Sequence, residues 1–93
     1  MSRQRSMDVI QQAEYVTIGE LVRLTGTRYS TLKFYTEQGM LPFEQEEANL
    51  TRRYRRVDSV ARIRQLKELR AAGRPIPAIK QMLEQEEDQG EDP

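Results

Sequence analysis

The fold is decided by residues 17–39, TIGELVRLTGTRYSTLKFYTEQG. Its opening has the form Ser/Thr-x-x-Glu, in which the Thr17 hydroxyl accepts from the Glu20 N–H and the Glu20 carboxylate accepts from the Thr17 N–H. A helix starts there. Ile18, Leu21, Val22 and Leu24 give it an apolar side, and Thr25-Gly26 ends it, because glycine readily takes the left-handed conformation that closes a helix. A second helix is predicted over about 28–38, ending at Gly39 ahead of Met40, Leu41 and Pro42. Two short helices joined by a glycine-containing turn make a helix-turn-helix.

Placing the second helix at 100° per residue puts Leu32 and Tyr35 on one face, with Thr31 beside them. Tyr29, Ser30, Lys33, Phe34 and Glu37 fall largely on the other. A face that only meets water favours Glu, Lys and Gln, so rings at Tyr29 and Phe34 mark a contact surface.

From Leu41 to Tyr54 the chain is poor helix material, with Pro42, an acidic run Glu44-Gln45-Glu46-Glu47 and a turn residue in Asn49. A β-hairpin is predicted, with strands at Leu41 to Glu44 and Leu50 to Arg55. Alternation then sets Leu50, Arg52 and Tyr54 on one face and Thr51, Arg53 and Arg55 on the other. A helix through TRRYRR would instead stack Arg52 on Arg55 and Arg56, at a cost of a few tenths of a kcal/mol (~0.2–0.5) per like-charged pair. Asp58 or Ser59 is the expected cap of a third helix carrying Val60, Ile63, Leu66 and Leu69 inward, with Arg62, Arg64, Lys67 and Arg70 outside, and ending at Ala72-Gly73. A fourth follows at PIPAIKQMLEQ, whose prolines suit a first turn that has no intrahelical N–H bonds to lose. The expected fold is mainly α: about four helices and a short two-stranded hairpin. Residues 1–15 read as a polar tail, 16–84 as the domain and 85–93 as an acidic tail.

The 93 residues carry 15 Lys+Arg and 15 Asp+Glu, so the formal net charge is zero. The charge is nevertheless segregated. Between Ala48 and Leu83, ten basic residues face only Asp58 and Glu68, a balance of +8, while the last ten residues carry −6. A basic body of this kind points to a polyanionic partner, with nucleic acid ahead of a membrane because no apolar helix face accompanies the arginines. The chain has no cysteine and no histidine, which removes thiolate nucleophiles, Cys/His zinc sites and the usual neutral-pH general base. No apolar run approaches the roughly 18–20 residues of a membrane span. The expectation is therefore a soluble, cytoplasmic and nucleoid-associated protein, not an enzyme, with no metal or cofactor.

TIGELVRLTG, TLKFYTEQGMLP, and RRY followed by VARI and LRAAGRPIPAIKQML occur in an order and spacing that resemble the N-terminal DNA-binding domain of the mercury-resistance regulator (MerR) family. The resemblance runs from about Val16 to Leu83. It implies a winged helix-turn-helix whose second helix enters the major groove while wings clasp flanking phosphates. Thr31-Leu32-Lys33-Phe34-Tyr35 matches the family's Thr-Ile-Arg-Tyr-Tyr segment, so Lys33 takes the Arg position and Phe34 and Tyr35 the two Tyr positions. Phe34 lacks the hydroxyl, leaving sugar or thymine-methyl contact. Arg28 stands where a small helix cap is common, which makes Thr27 an alternative cap. Glu44, Glu46 and Glu47 occupy the approach to the wing tip, where a basic residue is frequent, so the tip is expected to face away from DNA or to meet a protein instead. Arg74, in the Gly73-Arg74-Pro75 turn, matches a second wing's phosphate contact. The wing register leaves Arg52, Arg53, Arg55 and Arg56 all as candidates, beside Tyr54. With Thr17, Arg28, Tyr29, Ser30, Lys33, Phe34, Tyr35 and Arg74 they complete the expected DNA-binding set. The resemblance stops at the DNA-binding part, without the long dimerising helix and effector domain that usually follow it.

The leading expectation is a sequence-specific regulator of transcription on double-stranded DNA, as a homodimer or a DNA-dependent multimer. An architectural DNA-binding protein of the recombination-directionality or phage-packaging type is the alternative within the same class. Outside it stands a protein-interaction module docking an acidic partner such as part of RNA polymerase.

Overall fold

The computed structural model describes residues 4–90, with side chains to residue 86. The described chain runs α1 (Met7–Gln12), β1 (Tyr15–Val16), α2 (Ile18–Thr25), α3 (Tyr29–Glu37), β2 (Tyr54–Arg55), α4 (Arg56–Ala71) and α5 (Ile76–Gly90). It is a mainly helical, winged helix-turn-helix arrangement with a two-stranded antiparallel sheet.

The helix-turn-helix follows the sequence closely. Both bonds of the capping box at Thr17 and Glu20 are made, at 2.9 and 3.2 Å. Gly26 closes α2 in the left-handed region at φ 68°, its N–H donating to the Val22 carbonyl. The Thr25 hydroxyl donates to the Leu21 carbonyl (2.8 Å) and accepts from the Thr27 N–H, so the turn satisfies its own polar groups. Thr27 is buried in this turn, and Arg28 is the N-cap of α3, with no side-chain cap bond. The alternative cap at Thr27 is thus not used. At the far end of α3, Gly39 takes φ 77° and the Met40 N–H turns back to the Tyr35 carbonyl.

Leu21 from α2, Leu32 and Tyr35 from α3, Ile63 and Leu66 from α4 and Ile79 and Leu83 from α5 share one core with Met40, Leu41 and Tyr54. Helix α2 lies at its centre, packed on α3 and α4. Val60 and Leu69 are half-buried at the edge of this core.

Three expectations change. The stretch assigned to an N-terminal tail contains α1, capped by Ser6, and its Ile10 is fully buried against α2. One apolar side chain anchors the segment, and Arg5 latches it by donating two 2.7 Å bonds to Glu20 and one to the Tyr15 carbonyl. The predicted hairpin between Leu41–Glu44 and Leu50–Arg55 shrinks to a single bridge, Glu44 with Arg53. The extended stretch instead pairs on its other edge with β1, Tyr15 opposite Arg55 and Val16 opposite Tyr54. Leu50 is exposed rather than packed with Tyr54. Finally, α4 begins at Arg56 directly after the strand, ahead of Asp58 and Ser59. Asp58 then sits in the first turn, where its charge favours the helix N-terminus.

The helix predicted at PIPAIKQMLEQ continues to Gly90, so residues 85–90 of the expected acidic tail are helical backbone. Residues 91–93 lie outside the described part.

Candidate nucleic-acid interface

Helix α3 presents the surface expected of it. Leu32, Tyr35 and Thr36 are buried, whereas Tyr29 and Phe34 are 54% and 41% exposed beside exposed Ser30, Lys33 and Glu37. Each large exposed ring leaves apolar surface in water at roughly 25 cal/mol per Å². The Phe34 ring lies tilted beside Tyr35, centroids 6.2 Å apart. A groove of about 330 Å³ opens along this edge, floored by Phe34, Tyr35 and Ile76 with Ser30, Thr31 and Arg70 around it.

The helix is tied to the wing from behind. The Thr36 hydroxyl donates to the Leu32 carbonyl (2.8 Å) and shares a 3.0 Å hydrogen bond with the fully buried Tyr54 hydroxyl. Phe43 packs on Tyr54 at 6.0 Å between centroids, and the Arg52 guanidinium lies 4.6 Å from the Phe43 ring centre. Alternation along the strand puts Arg53 and Arg55 on the opposite face. There the Tyr15 ring receives both guanidinium groups, at 4.9 and 5.9 Å, and its hydroxyl donates to Glu44 at 2.7 Å. Glu44 also lies 3.8 Å from the Arg55 Nε, an exposed ion pair of the kind that contributes little on its own. Toward the tip the Gln45 side chain donates to the Ala48 and Leu50 carbonyls. This loop is therefore held by the Glu44–Arg53 bridge at its base, a backbone bond from the Leu50 N–H to the Glu47 carbonyl, and the Gln45 side chain.

The expected DNA-binding residues divide into two groups. Arg28, Tyr29, Ser30, Lys33, Phe34, Arg52, Arg53, Arg55 and Arg74 are exposed. The other four have structural duties. Tyr35 is 6% exposed, so it does no more than line the groove beside Phe34, and Tyr54 is fully buried and offers no face to a ligand. The Thr17 hydroxyl caps α2, and the half-buried Arg56 donates through Nε to the Ala13 carbonyl at 2.7 Å.

The same distinction applies to the helix surfaces. Arg62 donates to the Met40 carbonyl beyond α3, and Lys67 to the carbonyl of Thr25, the last residue of α2. Cations at helix C-terminal ends complement the helix dipole. Part of the positive charge on α4 is thus used to close neighbouring helices. The residues missed in the sequence are Tyr15, placed by contacts with segments about thirty and forty residues away, Phe43, which meets Arg52 and Tyr54 across the wing, and Arg70, which lines the groove beside α3. Ser6 three residues before Val9, with Met7 and Ile10 on one side, was the available signal for the segment that carries Tyr15.

Electrostatically the firmest group is the latch under α2. The Arg5 guanidinium and the Thr17 N–H hold the Glu20 carboxyl below the usual carboxylate range, against the opposing effect of its burial. Arg5 is correspondingly raised, first by its bond to Glu20. Arg23 closes the ring by donating to the Arg5 carbonyl.

Among the described residues no helix is long and apolar enough to cross a membrane. No curated protein and no solved structure gives a significant match to the chain. The family model described as MerR HTH family regulatory protein matches residues 16–86, which takes in α2, α3, the wing, α4 and most of α5. With the capped helix pair and the wing strand in the order that family requires, the chain belongs to the MerR helix-turn-helix family of DNA-binding transcription regulators.

Proposed function

We propose that this protein binds double-stranded DNA sequence-specifically, with α3 in the major groove and the wing on flanking phosphates. The observation that carries the reading is the outer face of α3, where two exposed rings, a serine and a lysine replace the acidic and amide residues of an ordinary solvated helix. Tyr29, Ser30 and Lys33 read base edges, and Phe34 meets sugar or a thymine methyl. Arg52, Arg53, Arg55 and Arg74 neutralise phosphates and supply most of the affinity, because each contact releases condensed counterions. Arg28, at the N-cap of α3, stands where the backbone of the DNA crosses the helix start.

The test is a selection from random duplexes followed by the same selection with Lys33→Ala. The unsubstituted protein is expected to return a defined motif. The variant is expected to lose preference at one or two positions, each worth about 1–3 kcal/mol of discrimination. Identical motifs from both proteins would remove Lys33 from base readout, and no motif from either would turn the reading toward architectural binding.

A further inference from the structure

Three segments far apart in the chain converge on the outer face of the wing. Tyr15 comes from β1, Glu44 from the bridged strand after α3, and Arg53 and Arg55 from the strand leading into α4. Backbone pairing fixes the meeting: Tyr15 lies opposite Arg55, and Glu44 opposite Arg53. Tyr15 is half-buried with its ring against both guanidinium groups and its hydroxyl on Glu44. It also lies one residue outside the span that matches the family, so nothing in that match assigns it a role.

We infer that Tyr15 is a positioning residue for DNA binding, a ring on which Arg53 and Arg55 are preset in the free protein for two neighbouring phosphates. The inference rests on the DNA-binding reading above. Two long arginine side chains on an exposed strand lose rotamer freedom when they engage phosphate, and a cation held against a ring face has already lost part of it. The ring does so without neutralising them. Glu44, 3.8 Å from the Arg55 Nε in an exposed pair, is the carboxylate that competes with phosphate there. The Tyr15 hydroxyl, by donating to Glu44, gives that carboxylate a neutral partner beside the two cations. Tyr15 contributes no charge of its own, which separates its effect from that of the arginines it orients. Loss of a phosphate-binding arginine flattens the salt dependence, whereas loss of its support lowers affinity at an unchanged slope.

The experiment compares the full chain with Tyr15→Leu, Tyr15→Phe and Arg53→Ala on one mixed-sequence duplex over a series of salt concentrations. Tyr15→Leu is expected to bind roughly three- to tenfold more weakly, from two exposed cation–π contacts, at an unchanged slope. Tyr15→Phe keeps the ring and stays within about twofold of the parent. Arg53→Ala lowers the magnitude of the slope by about 0.9. Circular dichroism checks that each variant is folded. In the unsubstituted free protein, NMR should show upfield ring-current shifts of the Arg53 and Arg55 side-chain protons, and this does not depend on any variant folding. Full affinity in Tyr15→Leu while Arg53→Ala is weakened overturns the inference and leaves the functional reading standing, and so does the absence of ring-current shifts. If the unsubstituted chain fails to bind the duplex at low salt, the functional reading falls and the positioning role falls with it.

Discussion

The helix-turn-helix and the wing are held by different means. From Thr17 to Gly39, nearly every turn of chain is fixed by a partner within about five residues: Thr17 with Glu20, Thr25 with Leu21 and Thr27, Gly26 with Val22, Thr36 with Leu32, and Met40 with Tyr35. From Pro42 to Arg55, short links remain, Glu44 with Arg53 and Gln45 with Ala48 and Leu50, but the stretch is placed on the domain by partners tens of residues away, Tyr15 above all. The first region can form its local structure early, since its contacts close short loops. The second depends on the N-terminal segment and the core being in place. Under the proposed function a locally fixed α3 and a wing held from outside would suit the two tasks, because base edges demand fixed geometry and phosphates tolerate small shifts.

This contrast can be broken at several points. Leu32 is fully buried at the junction of α3 with the core, and Leu32→Ala is expected to cost about 2–5 kcal/mol of unfolding free energy, read from urea denaturation. The loss should extend to wing and helices together, as a single transition.

The latch at Glu20 gives the next largest effect and a pH signature. Its folded-state pKa is depressed, so the stabilisation is fully present above the unfolded value near 4.5 and is lost as pH falls through the folded value. Glu20→Gln should therefore lose about 2 kcal/mol near neutral pH, where the charged bonds to Arg5 are made. The difference from the parent protein should narrow as pH falls through the acidic range in which Glu20 takes up its proton. Denaturant midpoints measured across the acidic range check the sign. A gap that widens on acidification would contradict the assignment.

The smallest effect on stability is expected in the wing. Arg52 rests on the Phe43 ring at the surface, and Arg52→Ala should cost no more than about 1 kcal/mol. Its effect on DNA affinity should be much larger than its effect on the melting transition, and equal across sequences. If Arg52→Ala unfolds the domain, the Arg52–Phe43 contact belongs to the core and not to an exposed wing.

The same contrast explains what could be read from the sequence. The capping box, the three glycine stops and the apolar spacing on α4 are short-range signals, and each appears where it was expected. The exposed face of α3 followed from helix periodicity alone, down to Tyr29 and Phe34. Tyr35 and Tyr54 were harder. For Tyr35 the helix periodicity sets the ring beside Leu32, against the motif match, whereas nothing in the sequence marks the Tyr54 hydroxyl as bonded to Thr36 rather than to phosphate. The wing was misread because alternation fixes the faces of a strand but not its partner. Arg52 to Arg55 alternates between two faces, yet the strand is only Tyr54–Arg55 and pairs with Tyr15 and Val16, about forty residues upstream, while Leu50 stays exposed. Arg56 shows the limit of charge reasoning, since the helix begins there with its guanidinium turned to the Ala13 carbonyl rather than stacked on other arginines.

The central claim is that this protein engages duplex DNA through phosphate contacts made by several arginines around α3. The most direct measurement is the equilibrium affinity of the full chain for duplex DNA over a range of salt concentrations. With about five phosphates neutralised, log K should fall against log salt with a slope of about −4 to −5. An affinity that does not change with salt would contradict the account.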